Sequence, residues 1–173
     1  MAAMTTKRID PPNVADERTL LEGFLDFHRD TLALKCEGLT DPQLREATVP
    51  PSELTLLGLV RHLAEVERGW FRHVLAGEDA PPIYFSEADR DGEFHDLDAA
   101  DTAEAFATWR GEVDHARAVA RERSLDDLGS RVRKGEREEY SLRWIYIHMI
   151  EEYARHNGHA DLIRERIDGE TGE

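Results

Sequence analysis

The sequence predicts an all-α protein, a four-helix bundle with a long crossover between its second and third helices. Three observations predict it. Four long segments repeat apolar residues at the helical period, and each opens on a residue suited to cap a helix. No segment alternates apolar and polar residues over a length that would build a sheet. The stretch from Glu78 to Ala100, acidic and interrupted by Pro81-Pro82 and Gly92, is too long for an ordinary helix-to-helix turn.

The first helix is expected from Val14 to Glu37, with Asn13 as its cap and Leu20, Phe24, Phe27, Thr31 and Leu34 on one face. Gly38 then stands where a helix ends. Asp41-Pro42-Gln43-Leu44 reads as one short turn of helix. The second long helix follows Pro50-Pro51, is capped by Ser52, runs to Gly77 and carries the stripe Leu56, Leu59, Leu63, Val66 and Trp70. After the crossover, Asp101-Thr102-Ala103-Glu104 resembles a capping box. It opens the third helix, which runs to about Arg123 with Phe106, Trp109, Val113 and Ala116 inward. Residues 129–140 are polar and read as a loop or as a small hairpin turning at Lys134-Gly135. Ser141 caps the fourth helix, which reaches about Ile167. The whole chain, 1–173, is expected to be one domain, with 1–12 a flexible N-terminus and 169–173 a C-terminal tail.

Composition narrows the function. The formal net charge of -15 argues against nucleic acid, whose binding depends on clustered Lys and Arg. The one basic patch, Arg131-Val132-Arg133-Lys134, is followed at once by Glu136, Glu138 and Glu139. No apolar run approaches a membrane span, and the start lacks the apolar stretch of a signal peptide. A single cysteine, Cys36, forms no internal disulfide and fits a cytoplasmic location.

The chemistry is concentrated in the fourth helix. Residues four apart drift by about 40° around a helix axis. His148, Glu152 and His156 therefore form one row with His159 beside it, on the side of Ile145, Met149 and Ile163. A carboxylate turned inward must be paired, protonated or metal-bound, and a Glu and a His at i and i+4 are placed to share one ion. His62 is the best candidate for a further ligand from another helix, because it borders the second helix's apolar stripe. His73 would sit at another level, His28 is weaker, His95 lies in the acidic crossover and His115 on a charged face. The plainer reading is a set of satisfied core histidines, and periodicity alone leaves His148 and His159 on an equal footing with Glu152 and His156. Trp70, Trp109 and Trp144 read as core anchors, Glu87–Asp91 as solvated surface, and Cys36 as a buried thiol.

The fourth-helix text Ser141-Leu142-Arg143-Trp144-Ile145-Tyr146-Ile147-His148-Met149-Ile150-Glu151-Glu152-Tyr153-Ala154-Arg155-His156-Asn157-Gly158-His159-Ala160-Asp161-Leu162-Ile163-Arg164-Glu165 resembles the closing helix of the DinB/YfiT-like superfamily. More narrowly, it is similar to an actinobacterial mini-circle-type branch of unknown function, related to mycothiol-dependent maleylpyruvate isomerase. Segments 37–44 and 59–67 resemble the same family in order and spacing. The resemblance implies a DinB/YfiT-like bundle and a metal held by His62, Glu152 and His156, with Glu where most of the superfamily has His. It places His148, His159, Arg155 and Asn157 around the ligands, as candidates for support or proton transfer. It further implies a divalent metal, zinc first and nickel, iron or manganese as alternatives. The implied partners are a low-molecular-weight thiol such as mycothiol, a small electrophile, and a second copy in a homodimer. The function expected on this basis is a metal-dependent thiol transferase or isomerase. A metal-dependent hydrolase and a non-catalytic, metal-braced binding module are its rivals.

Overall fold

The computed structural model describes residues 7–172, and four long helices make its frame. α1 (Glu17–Cys36) opens at Asp16, whose carboxylate accepts from the Thr19 amide; the cap therefore lies further along the chain than Asn13. α2 (Asp41–Leu44) is the expected short turn, with the Gln43 side chain accepting from the Thr40 amide. α3 (Leu56–Glu67) is capped by Thr55, not Ser52, and continues into a π-helical stretch, Arg68–Leu75. α4 (Thr102–Arg121) starts at Asp101, which accepts from the Glu104 amide. α5 (Leu142–Asp168) starts at Ser141 and stops at Gly169, whose φ of 83° is the left-handed conformation that glycine adopts without strain.

The expectation of an all-α four-helix bundle is overturned. Leu128–Arg133 (β1) and Glu136–Ser141 (β2) pair as an antiparallel hairpin, from Leu128 opposite Ser141 to Arg133 opposite Glu136. The described residues also hold five α-helices once α2 is included. Lys134 and Gly135 turn the hairpin with φ of 52° and 81°, the pair of positive angles that matches strand twist. Residues 129–140 are thus the small hairpin turning at Lys134-Gly135 and not a loop, although periodicity does not show its strands because they are polar: only Gly129 of the two is buried. Tertiary docking holds them instead. Gly129 lies so close to α3's π-helical end that a Cβ there would fall 2.4 Å from the Val74 carbonyl oxygen. Tyr140 meets the Trp70 ring edge-on at 5.1 Å, and the Arg131 guanidinium lies over both rings.

The core runs between the helices through Leu25 and Leu32 of α1, Leu59 and Leu63 of α3, Trp109 of α4, and Ile145 and Met149 of α5. Inside it lies one buried polar network. Arg29 donates through Nε and Nη2 to the two oxygens of Glu67, each at 2.8 Å. Tyr153 donates to Glu67 Oε1 at 2.8 Å, and Trp109 Nε1 donates to the Tyr153 hydroxyl at 2.8 Å. Burial, followed by the charge of Glu67, pushes the Tyr153 phenol well above its usual value, so it stays a donor. One carboxylate thereby joins α1, α3 and α5 directly, and α4 through Tyr153.

Of the expected flexible N-terminus, residues 1–6 lie outside the described residues, as does residue 173 of the expected tail. Further on, the Arg8 guanidinium sits 4.5 Å from the Phe27 ring centre, and Pro11 and Pro12 lie against Gly23 of α1. No helix among the described residues is long and apolar enough to cross a membrane.

Two outcomes are expected. Glu67→Ala leaves Arg29 charged and unpaired in the core and should cost about 3–5 kcal/mol, read as a lower urea midpoint. A loss below about 1 kcal/mol would show that the pair is dispensable. Cys36 is buried, and burial pushes its thiol up to about 12. Iodoacetamide at pH 8 should therefore modify it slowly in the folded protein and rapidly in urea; equal rates would refute its burial.

Candidate metal centre

On α3, Leu59, Val60 and Leu63 are fully buried, and His62 projects from the margin of that face with 22% of its side chain exposed. On α5, Ile145, Met149, Tyr153 and Ala160 are fully buried. The row His148, Glu152 and His156 lies one step around the helix from them. Its side chains are 24%, 19% and 12% exposed, so it occupies the rim of the core and not its centre.

Across that rim the two helices bring His62, Glu152 and His156 together, with one ligand atom from each within 4.8 Å of the others. The His62 and His156 rings are 4.6 Å apart. Glu152 turns one oxygen to each neighbour on its own helix: Oε2 is 3.5 Å from His156 Nε2, and Oε1 is 3.4 Å from His148 Nε2. Both gaps exceed a normal hydrogen bond of about 2.7–3.2 Å. They match the roughly 3.4 Å between two ligands bonded at about 2.1 Å to one tetrahedral ion. Contact with His156 foremost, and the charges of His148 and His62, hold the Glu152 carboxyl below its usual range against the opposing effect of burial. It is thus in the ionised form a cation needs.

Each imidazole of the trio is engaged on its far nitrogen. His62 Nδ1 lies 3.0 Å from Glu93 Oε1, and His156 Nδ1 lies 3.3 Å from His159 Nδ1. Burial, with the His156 and Arg155 charges, pushes His159 down, so it stays neutral at neutral pH. The Nε2 atoms remain as the free donor positions. Anchored imidazoles, an ionised carboxylate and a single face of convergence fit a divalent cation.

Other candidates fall elsewhere. His148 reaches only Glu152 of the trio; its ring is held between Trp70 at 4.7 Å and Trp144 at 5.0 Å. His148, Glu151 and Glu152 form a second group of possible ligands that shares Glu152. Arg155 is 62% exposed and paired with Glu151. Asn157 turns to α1, where Nδ2 donates to the His28 carbonyl at 2.9 Å. His95 pairs with Asp89 and His115 with Glu78. His73 lines a cleft of about 220 Å³ that has His62, Trp70, Phe85 and Arg131 in its walls.

Sequence reasoning missed Glu93. It stands among many acids of the crossover, and nothing local distinguishes it. The available signal was a glycine inside a helix, Gly58, one turn before His62. A Cβ there would fall 2.8 Å from the Phe94 ring, so Gly58 admits Phe94, which stacks on His62 at 5.3 Å. Glu93 arrives with its neighbour.

A family model described as mycothiol-S-transferase matches residues 20–169. No curated protein and no solved structure matches the chain. The extent of the family match means that the chain belongs to the mycothiol-S-transferase family.

Proposed function

We propose that this member of the mycothiol-S-transferase family holds a divalent metal through His62, Glu152 and His156 and transfers a low-molecular-weight thiol, mycothiol, to a small electrophile. The observation that carries the reading is the convergence of two imidazoles and one ionised carboxylate from two helices; one of the imidazoles, His62, also lines a cleft. A divalent ion in such a set, zinc first among the candidates, supplies positive charge that lowers the pKa of a thiol beside it.

The chain's own residues supply the rest. Glu93 holds His62 at Nδ1 and His159 holds His156 at Nδ1, with His156 Nε2 facing Glu152. Trp70 and Phe85 give the cleft beside His62 apolar walls, which exclude water from a reacting sulfur and carbon. In the transfer the thiol gives its proton to water, its sulfur forms a bond to the electrophilic carbon, and the leaving group departs with the electron pair of the bond it breaks, taking up a proton from solvent. Cys36 takes no part, being buried and held as a neutral thiol.

Elemental analysis and a thiol-conjugation assay test this together. His62→Ala and His156→Ala should each lose bound metal and lower thiol-dependent turnover by at least about 100-fold. Full metal occupancy in both variants would refute the site. Turnover that needs no added thiol would replace the transferase reading with hydrolysis.

A further inference from the structure

The crossover is attached to α3 by charged side chains on either side of His62. Glu65 accepts from the amides of Ile83 and Tyr84 at 2.7 and 2.6 Å. Arg61 donates to the carbonyls of His95 and Gly92, each at 3.1 Å, and lies over the Tyr84 ring. Gly92 lets the segment fold onto itself, since a Cβ there would fall 2.4 Å from the Tyr84 carbonyl oxygen. These contacts place Glu93, 6% exposed, against His62.

Glu93 is incompletely satisfied. Oε1 accepts from His62 Nδ1, but the buried Oε2 has no hydrogen-bond partner. A buried carboxylate oxygen without a partner is costly unless positive charge stands near. Arg61 directs Nη1 and Nη2 to backbone carbonyls and keeps its charge, with a buried Nε that has no hydrogen-bond partner. A cation on the far side of the His62 ring would add positive charge beside this carboxylate.

We propose that Glu93 is a positioning residue for the metal: it fixes His62 with Nδ1 as donor and Nε2 free, and the bound cation in turn stabilises the docked crossover. The inference rests on the reading of His62 as a ligand. Coupling of this kind is reciprocal, so whatever metal contributes to crossover docking, docking contributes equally to metal affinity. The crossover is then part of the metal site, and its order reports whether the site is loaded.

Three measurements on the full chain test it, with Zn²⁺ as the probe. Hydrogen exchange across residues 78–100 of the wild type should slow when Zn²⁺ is added. Glu93→Gln keeps an acceptor for His62 but removes the charge, so exchange in that variant should respond little to Zn²⁺. Glu93→Ala removes both, and chelator competition should show Zn²⁺ affinity lower by roughly 10–100-fold, with the visible bands of the Co²⁺-loaded variant shifted from wild type. Unchanged exchange in the wild type, or wild-type affinity and Co²⁺ bands in Glu93→Ala, would overturn the proposal even if the variants fold less well. Failure of the metal reading itself looks different: His62→Ala would then bind Zn²⁺ as tightly as wild type.

Discussion

Glu67 is the point on which the arrangement of the long helices depends. A carboxylate with no exposure survives in a core only if its oxygens are occupied, and here Arg29 takes both while Tyr153 adds a third bond. Trp109 extends the network to α4. Because the geometry of a buried, charge-assisted pair is narrow, the network sets how α5 is rotated against α3. Tyr153 is flanked by Glu152, and Glu67 lies little more than one turn beyond His62. The constraint that keeps Tyr153 inward therefore keeps Glu152 and His156 at the rim, facing His62.

The rim position explains how the site can be both anchored and open. A row pointing at the core centre would be closed by packing, whereas a row one step around the helix stays partly exposed. The crossover then supplies the missing wall. It has little regular structure of its own, so its backbone groups must find partners elsewhere. Glu65 gathers its amides and Arg61 its carbonyls, which uses two charged residues of α3 as anchors for a loop. The hairpin closes the other flank through Arg131, Tyr140 and Trp70. Between the two lies the cleft lined by His62.

Much of this was legible in local sequence, for identifiable reasons. Asp101, Ser141 and Gly169 mark helix ends because a capping side chain or a left-handed residue acts within a few positions of itself. The neighbouring positions of His148, Glu152, His156 and His159 on α5 follow from helical geometry alone. Asn13 and Asp16 are equivalent caps by residue type, and only the fold, in which Asp16 accepts from the Thr19 amide, distinguishes them. Family resemblance, not periodicity, selected Glu152 and His156 from the row and joined them to His62.

Local sequence thus dictated where the helices begin and end and which face of α5 carries ionisable groups, because those properties depend on residues within a turn or two of each other. Three features depended on the assembled chain. The hairpin forms from polar strands because Gly129 fits against Val74 and Leu75, and no periodic pattern announces such a fit. Glu93 reaches His62 because Gly58 admits Phe94, a contact between segments far apart in the chain. The depth of the row His148, Glu152 and His156 is set by the rotation that the Glu67 network imposes. Each of these is a close approach between distant segments, and the residues that permit it look ordinary until the partner surface is in place.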